Sequence, residues 1–173
     1  SRIKVIGMNF AGYTSYGAYN QTLTTAVPYK GCDTVTYRNC TFSGASPMYW
    51  YYSSNDDSVV NCQLYSSSSY GIYSYSTSAY PSGPNVFINN FIVGFSSYGL
   101  YSYYNNGNQY YYNTWYSPSC SYPIYDYYSN TAPTYRNNIF YNGNTSSSYY
   151  CIYMYASSTP PVITKDISME PWQ

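Results

Sequence analysis

The sequence predicts an all-β solenoid, a chain wound into stacked parallel coils, and three observations carry that prediction. A short tyrosine motif recurs six times, a second register centred on Asn recurs between its copies, and both return after roughly two dozen residues. Side chains on a strand alternate faces with period two. A near-constant spacing of this size is the mark of stacked repeating units and not of one sheet wandering through a globular core.

The tyrosine motif is a small or apolar residue followed by Tyr, any residue, and usually Tyr again. It reads Ala18-Tyr19-Asn20-Gln21, Met48-Tyr49-Trp50-Tyr51, Ile72-Tyr73-Ser74-Tyr75, Leu100-Tyr101-Ser102-Tyr103, Ile124-Tyr125-Asp126-Tyr127 and Ile152-Tyr153-Met154-Tyr155. Both tyrosines of a copy therefore share one face, and the residue before them takes the other. An interior full of phenols would need a partner for each hydroxyl, so the tyrosines are expected outside and Ile72, Leu100, Ile124 and Ile152 inside. Two outward columns result, Tyr49, Tyr73, Tyr101, Tyr125 and Tyr153 beside Tyr51, Tyr75, Tyr103, Tyr127 and Tyr155. Six rungs make a flat aromatic strip on the order of 24 Å long, and a patch of that kind marks an interaction surface.

The second register aligns Val35 to Phe42, Asp57 to Leu64, Asn85 to Ile92 and Pro133 to Phe140 on an Asn with an apolar residue two before and three after. Tyr111, Asn113 and Tyr116 continue it, Thr164, Asp166 and Met169 form a weaker last copy, and Gly7 marks the first. The anchors Asn39, Asn61, Asn89, Asn113, Asn137 and Asp166 are separated by 22, 28, 24, 24 and 29 residues. In four of the six paired copies the tyrosine motif begins eleven residues after its anchor, so the uneven steps reflect loop insertions between fixed strand positions.

Two or more short strands per coil with an Asn at one corner resemble the right-handed parallel β-helix of the pectin-lyase-like superfamily, over about residues 2 to 170. The resemblance implies a single domain, 1–173, of about seven coils. It also implies an Asn ladder built from Asn39, Asn61, Asn89, Asn113 and Asn137, each amide bonding the backbone and the next amide along the stack, with Asp166 interrupting the series.

Cys40 and Cys62 each follow an anchor Asn, which places them in one column on adjacent coils, about 4.8 Å apart. That is inside the range of a disulfide although parallel side chains are not ideal for one; a bridge and two buried free thiols are both compatible with the register. Cys120 and Cys151 fall on adjacent coils, and Cys32 is left over. The chain has no His and no Cys-x-x-Cys pair, so neither a zinc site nor another cofactor is expected.

Charged residues make up 7% of the chain, against about 25% in an average protein, and six basic side chains balance six acidic ones. A neutral surface gives no electrostatic attraction to nucleic acid or anionic membrane. No stretch approaches the roughly 20 apolar residues of a membrane helix. The first residues do not read as a signal peptide, and one cleaved before Ser1 is compatible with the sequence. Three glycosylation sequons, at Asn20, Asn39 and Asn144, together with the cysteines tilt the reading toward an extracellular or cell-surface location.

The resembled superfamily holds many polysaccharide lyases and hydrolases, which need clustered carboxylates, with a basic proton acceptor or as an acid pair. Here Asp56 and Asp57 are the only adjacent acids, and they fall in a turn. Arg2-Ile3-Lys4 and Asp56-Asp57 are similar to polygalacturonase motifs, yet their order is reversed and the required His is missing. Arg38 and Arg136 precede equivalent anchors on distant coils and read as solvent-facing strand charges. Three functions follow in order of support. The first is a non-enzymatic structural subunit that self-associates into a fibre, sheath or surface layer through its aromatic face and coil ends. The second is an adhesin or tail-fibre segment binding polysaccharide. The third is a degenerate or partial polysaccharide lyase.

Overall fold

The computed structural model describes residues 2–21, 34–52, 55–79, 82–145, 150–156 and 159–169. Cys32 lies outside the described residues. The strands run coil by coil. The first coil holds β1 (Ile3–Ile6) and β2 (Asn9–Gln21), and the second holds β3 (Val35–Arg38) and β4 (Thr41–Tyr51). The next four coils each contribute three strands: β5 (Ser58–Val60), β6 (Gln63–Ser66) and β7 (Tyr70–Tyr75); β8 (Val86–Ile88), β9 (Phe91–Val93) and β10 (Tyr98–Tyr103); β11 (Gln109–Tyr111), β12 (Thr114–Ser117) and β13 (Tyr122–Tyr127); β14 (Thr134–Arg136), β15 (Ile139–Asn142) and β16 (Ile152–Tyr155). A last part-coil adds β17 (Val162–Thr164) and β18 (Ile167–Met169).

All the strand pairings are parallel and join equivalent positions of successive coils. The first face is one seven-stranded sheet, β1-β3-β5-β8-β11-β14-β17. The second face (β6-β9-β12-β15-β18) and the third (β7-β10-β13-β16) are joined through β2 and β4, which run across both. The chain is therefore an all-β parallel solenoid, as expected. The described strands complete slightly fewer turns than the seven anticipated.

The interior follows from the alternation of side chains. The first face buries Val59 and stacks Phe87, Tyr110 and Tyr135 with centroids 5.0 and 4.8 Å apart. The second face buries Phe42, Leu64, Ile92, Trp115 and Phe140, and the third Met48, Ile72, Leu100 and Ile124. Rows of this kind suit a solenoid, in which each coil only has to cover the next.

The Asn corner holds two ladders where the sequence suggested one. The corner residue proper takes a left-handed conformation, and the column runs Gly7, Asn39, Asn61, Asn89, Tyr112, Asn137, Lys165 with φ between 53° and 67°. Asn tolerates this region better than most residues. Its exposed amides are linked, Asn61 donating to Asn39 at 3.3 Å and Asn89 to Asn61 at 3.0 Å. Asn113 does not belong to this stack. The pairing of Ile88 with Tyr111 sets Asn89 opposite Tyr112, so Asn113 falls one column inward, with Asn90 and Asn138. In that inner column each amide donates to the next, Asn90 to Asn113 and Asn113 to Asn138 at 3.0 Å. Each also reaches a backbone carbonyl of an earlier coil, those of Val59, Phe87 and Tyr110. Asp166 ends the column, accepting from Asn138, and so terminates the inner ladder instead of interrupting the outer one. The sequence alignment missed this because Asn113 is the only Asn of the Tyr111-Tyr112-Asn113 run, and Tyr111 and Tyr116 satisfy the apolar pattern around it.

A third ladder precedes the first face. Buried Asp57 accepts from the Val35 backbone at 2.7 Å, Asn85 accepts from the backbone of Asp57 at 3.0 Å, and Asn108 from that of Asn85 at 2.9 Å. Asp57 also accepts from Asn20, whose amide oxygen takes the Tyr37 hydroxyl. Such satisfaction is what allows polar groups inside a solenoid.

Candidate functional site

The third face begins where the chain turns a corner in the pattern Tyr-Gly-apolar-Tyr or Tyr-Pro-apolar-Tyr, with Ser46 in the first place in the second coil. Gly17, Pro47, Gly71, Gly99 and Pro123 occupy the second place in successive coils. A Cβ on Gly99 would lie 2.5 Å from the carbonyl oxygen of Pro123 on the next rung, which explains why the position takes no larger side chain there. After this corner the apolar residue turns inward. Met48, Ile72, Leu100 and Ile124 are all fully buried, and the following Tyr, x, Tyr places both rings outside.

The expected columns form. In the first, Tyr19, Tyr49, Tyr73, Tyr101, Tyr125 and Tyr153 follow one another at 5.3, 4.7, 5.0, 5.5 and 5.3 Å between centroids, with planes 5° to 18° apart. In the second, Tyr51, Tyr75, Tyr103, Tyr127 and Tyr155 follow at 5.5, 4.9, 5.1 and 4.8 Å. Across the columns Tyr101 and Tyr103 are 6.3 Å apart with planes 3° apart, so the array is ordered in two directions.

The array is wider than the sequence reading. A flanking column of Tyr70, Tyr98 and Tyr122 stacks at 5.7 and 6.1 Å and meets the first column nearly edge-on, Tyr70 against Tyr73 at 79°. On the other side Tyr52, Tyr104 and Tyr128 sit at a left-handed corner with φ of 53° to 59°, and Tyr104 stacks on Tyr128 at 4.9 Å. The signal for the flanking column was present as a Tyr three places before the motif Tyr in most copies. The corner column was signalled by Tyr-Tyr at the end of several copies.

The stacking changes what the strip offers. Inner rings have both faces against the rings above and below, so the surface presents ring edges and phenol oxygens, and most of these side chains are half-buried. It is not the open apolar plane that exposure of alternate residues suggests. Burial pushes the Tyr49 and Tyr101 phenols up to about 12, with neighbouring phenols adding to the effect. Tyr51 rises to about 12 through its hydrogen bond with Tyr52, helped by burial. The face is thus electrically neutral at any physiological pH.

The cysteines stand where the register put them but do not form the candidate bridge. Cys40 and Cys62 are buried free thiols in the inner column above Asn90, and each donates to backbone carbonyls, Cys40 to Val5 at 3.4 Å and Cys62 to Tyr37 at 3.6 Å. Parallel side chains on a parallel sheet point the two sulfurs alike, and the carbonyls of the preceding coil are better placed partners. Burial raises Cys62 to about 11 and Cys120 to about 12, which keeps both as inert thiols.

Asp57, Asp126 and Asp166 serve the scaffold. Asp57 holds the ladder before the first face, and Asp126 points into the core, where Ser102 and Ser129 donate to one of its oxygens. Burial lifts Asp126 to about 7, against the pull of those two hydroxyls. Arg38 and Arg136 are exposed at equivalent places four rungs apart on the first face. Among the described residues no group of three His, Cys, Asp or Glu is placed to hold a metal ion, and no helix is long and apolar enough to cross a membrane.

The model of a family described as a right-handed beta helix region matches residues 25–168. No curated protein and no solved structure was found that matches the chain.

Proposed function

The chain belongs to the right-handed β-helix family, and from that premise we propose that it is a non-enzymatic structural protein of the cell exterior. In this reading it is a solenoid subunit that assembles with its own copies into a fibre, sheath or surface layer. The observation that carries the reading is the tyrosine face, four columns wide, neutral, and ordered at about the strand spacing along its length. A face without charges can be brought against a second copy with little desolvation cost, while each phenol keeps an oxygen able to bond across the interface. The rigid stacking also means that little side-chain entropy remains to be lost on association. Addition at the coil ends is the second mode. Inward Ile3 of the first rung and Ile163 of the last are each about half exposed, at 51% and 52%, and a further rung covers them as one coil covers the next. Use of the buried acids in the ladder and core supports a role without catalysis.

The test is the double substitution Tyr101→Ser with Tyr103→Ser. Leu100 stays inward, so the coil folds and its circular dichroism is unchanged. Each ring in an interface is worth on the order of 1 kcal/mol, and the pair should raise the concentration at which assemblies appear in sedimentation and electron microscopy by about tenfold or more. Filaments or sheets forming at an unchanged concentration would overturn the assembly reading.

A further inference from the structure

The flanking aromatic column has one missing ring. In six coils the residue two before the inward apolar position is Tyr16, Ser46, Tyr70, Tyr98, Tyr122 and Tyr150, so the second coil alone lacks a tyrosine there. Tyr16 and Tyr70 stand two rungs apart, about 9.6 Å along the stack. Elsewhere in the array that distance holds an additional ring between its neighbours. Here it is bridged at the base by Ser46, whose hydroxyl meets that of Ser68 at 3.0 Å.

The vacancy is an open slot of about 480 Å³, within the usual size of a small-molecule site. Its walls are the rings of Tyr16, Tyr49, Tyr70 and Tyr73. Thr14, Ser15, Ser46, Ser68 and Ser69 also line it, and among the described residues no charged side chain does. The walls differ from the rest of the face. Tyr16 leans on Tyr49 at 4.3 Å with a 41° tilt and on Tyr19 at 5.6 Å yet stays 42% exposed, and half-buried Tyr70 is nearly perpendicular to Tyr73 and stacked on Tyr98.

The local backbone builds this rim deliberately. Strand β2 is interrupted twice where it pairs with β4, between Ala11 and Tyr13 and between Tyr13 and Tyr16, each time with one residue more than its partner strand. Bulges of this kind re-aim side chains and gather beside binding sites. The second bulge brings Thr14 and Ser15 to the mouth of the slot and sets Tyr16 over it. Opposite, the Ser66 hydroxyl bonds the carbonyls of Ala45 and Tyr70, which fixes the Ser67 to Ser69 turn that forms the other lip.

We propose that the slot between Tyr16 and Tyr70 binds one ring of a neutral sugar. A pyranose has apolar C–H faces of ring thickness and a circumference of hydroxyls, which suits a slot lined by the partly exposed rings of Tyr16 and Tyr70 together with Ser and Thr. An acidic sugar would bring a charge that nothing in the slot compensates. The slot shares Tyr49, Tyr70 and Tyr73 with the edge of the tyrosine face, but sugar binding to it does not depend on the assembly reading.

The experiment titrates the dispersed protein with neutral gluco-, galacto-, manno- and xylo-oligosaccharides, and with phenol and glucuronate as aromatic and acidic probes. Saturation-transfer NMR and tyrosine fluorescence give the binding curves. At least one neutral sugar saturates a single site, and glucuronate does not compete with it. Ser46→Tyr completes the column, leaves the melting temperature unchanged or higher, and weakens the sugar by about tenfold or more. Tyr70→Ser weakens it similarly, whereas Tyr70→Phe retains it, which keeps the test valid if Ser46→Tyr fails to fold. Equal binding by Ser46→Tyr or Tyr70→Ser, saturation by phenol but by no sugar, or no saturable neutral sugar would each overturn the proposal. Tyr101 packs on Tyr70 and Tyr73 of the slot, so the independent control is Tyr127→Ser with Tyr155→Ser, whose rings do not line it: that variant should titrate as wild type while weakening assembly.

Discussion

At the scale of the single residue, the clearest departure from the repeat is Tyr112, which holds the left-handed corner between Asn89 and Asn137 with φ of 59° and is 58% exposed. A left-handed conformation costs an ordinary residue about 1 to 2 kcal/mol, and nothing in the structure explains Tyr here. Tyr112→Asn places a tolerant residue at the corner and supplies the amide that links Asn89 to Asn137. A gain of about 1 kcal/mol in urea unfolding is expected; an unchanged or lower midpoint would count against the ladder as a stabilising device. Asp126 gives a second residue-level consequence. Its carboxyl is fully buried, one oxygen has no partner, and burial raises it to about 7. Between the ordinary carboxylate range and that value, the folded chain keeps a proton that the unfolded chain has released. Stability is therefore full below about pH 4, falls as pH rises toward 7, and levels off above it, by at most about 1.4 kcal/mol per pH unit. Tyr110 and Tyr135, which sense its charge, are themselves held neutral by burial. Asp126→Asn should remove this fall from a series of thermal melts, and an identical slope in the variant would show that another group is responsible.

At the scale of the element, the strands of the third face depend on how tightly the chain turns into them. Gly71 and Gly99 occupy the same corner on adjacent coils, and a Cβ on Gly71 would lie 2.6 Å from the Gly99 carbonyl oxygen. Gly99→Ala must push apart β10 and β13, whose register continues through Leu100 and Ile124. Overpacking of this kind costs about 1 to 3 kcal/mol. A loss of roughly 2 kcal/mol in denaturant unfolding, with tyrosine near-ultraviolet dichroism reduced, is the expected result. A neutral outcome would mean that the corner has slack and that small residues there are incidental. The same corner carries Pro47 and Pro123, which shows that the constraint is on shape beyond the backbone and not on flexibility.

At the scale of the whole molecule, a solenoid has no centre, because each coil is stabilised by the one before and the one after. The inner coils, from β3 to β14, have neighbours on both sides, while β1 and β17 have one. Backbone hydrogen exchange should therefore be slowest for strands such as β8, β10 and β11 and fastest for β1, β17 and β18, with protection graded along the stack. Uniform protection from end to end would show a single cooperative unit and contradict nearest-neighbour stabilisation. The neutral tyrosine face lets copies approach without long-range repulsion, so association by that face should depend weakly on salt.

The sequence by itself determined the solenoid, the inward Ile and Leu rows and the two main tyrosine columns, because strand alternation and a repeat period are properties of local spacing. Gly7 and four of the five Asn anchors were legible for the same reason, as residues suited to a left-handed corner. Only the tertiary structure decided which Asn of each pair stands at the corner and which turns inward. That choice depends on pairing register between coils, and the Tyr111, Tyr112, Asn113 run satisfies the sequence pattern with either phase. Tertiary structure likewise decided that the rings cover one another's faces, that Cys40 and Cys62 bond to carbonyls, and that Ser46 leaves a vacancy. Each of these is a relation between residues 24 to 35 positions apart, and it acquires a geometry only when one coil is laid on the next.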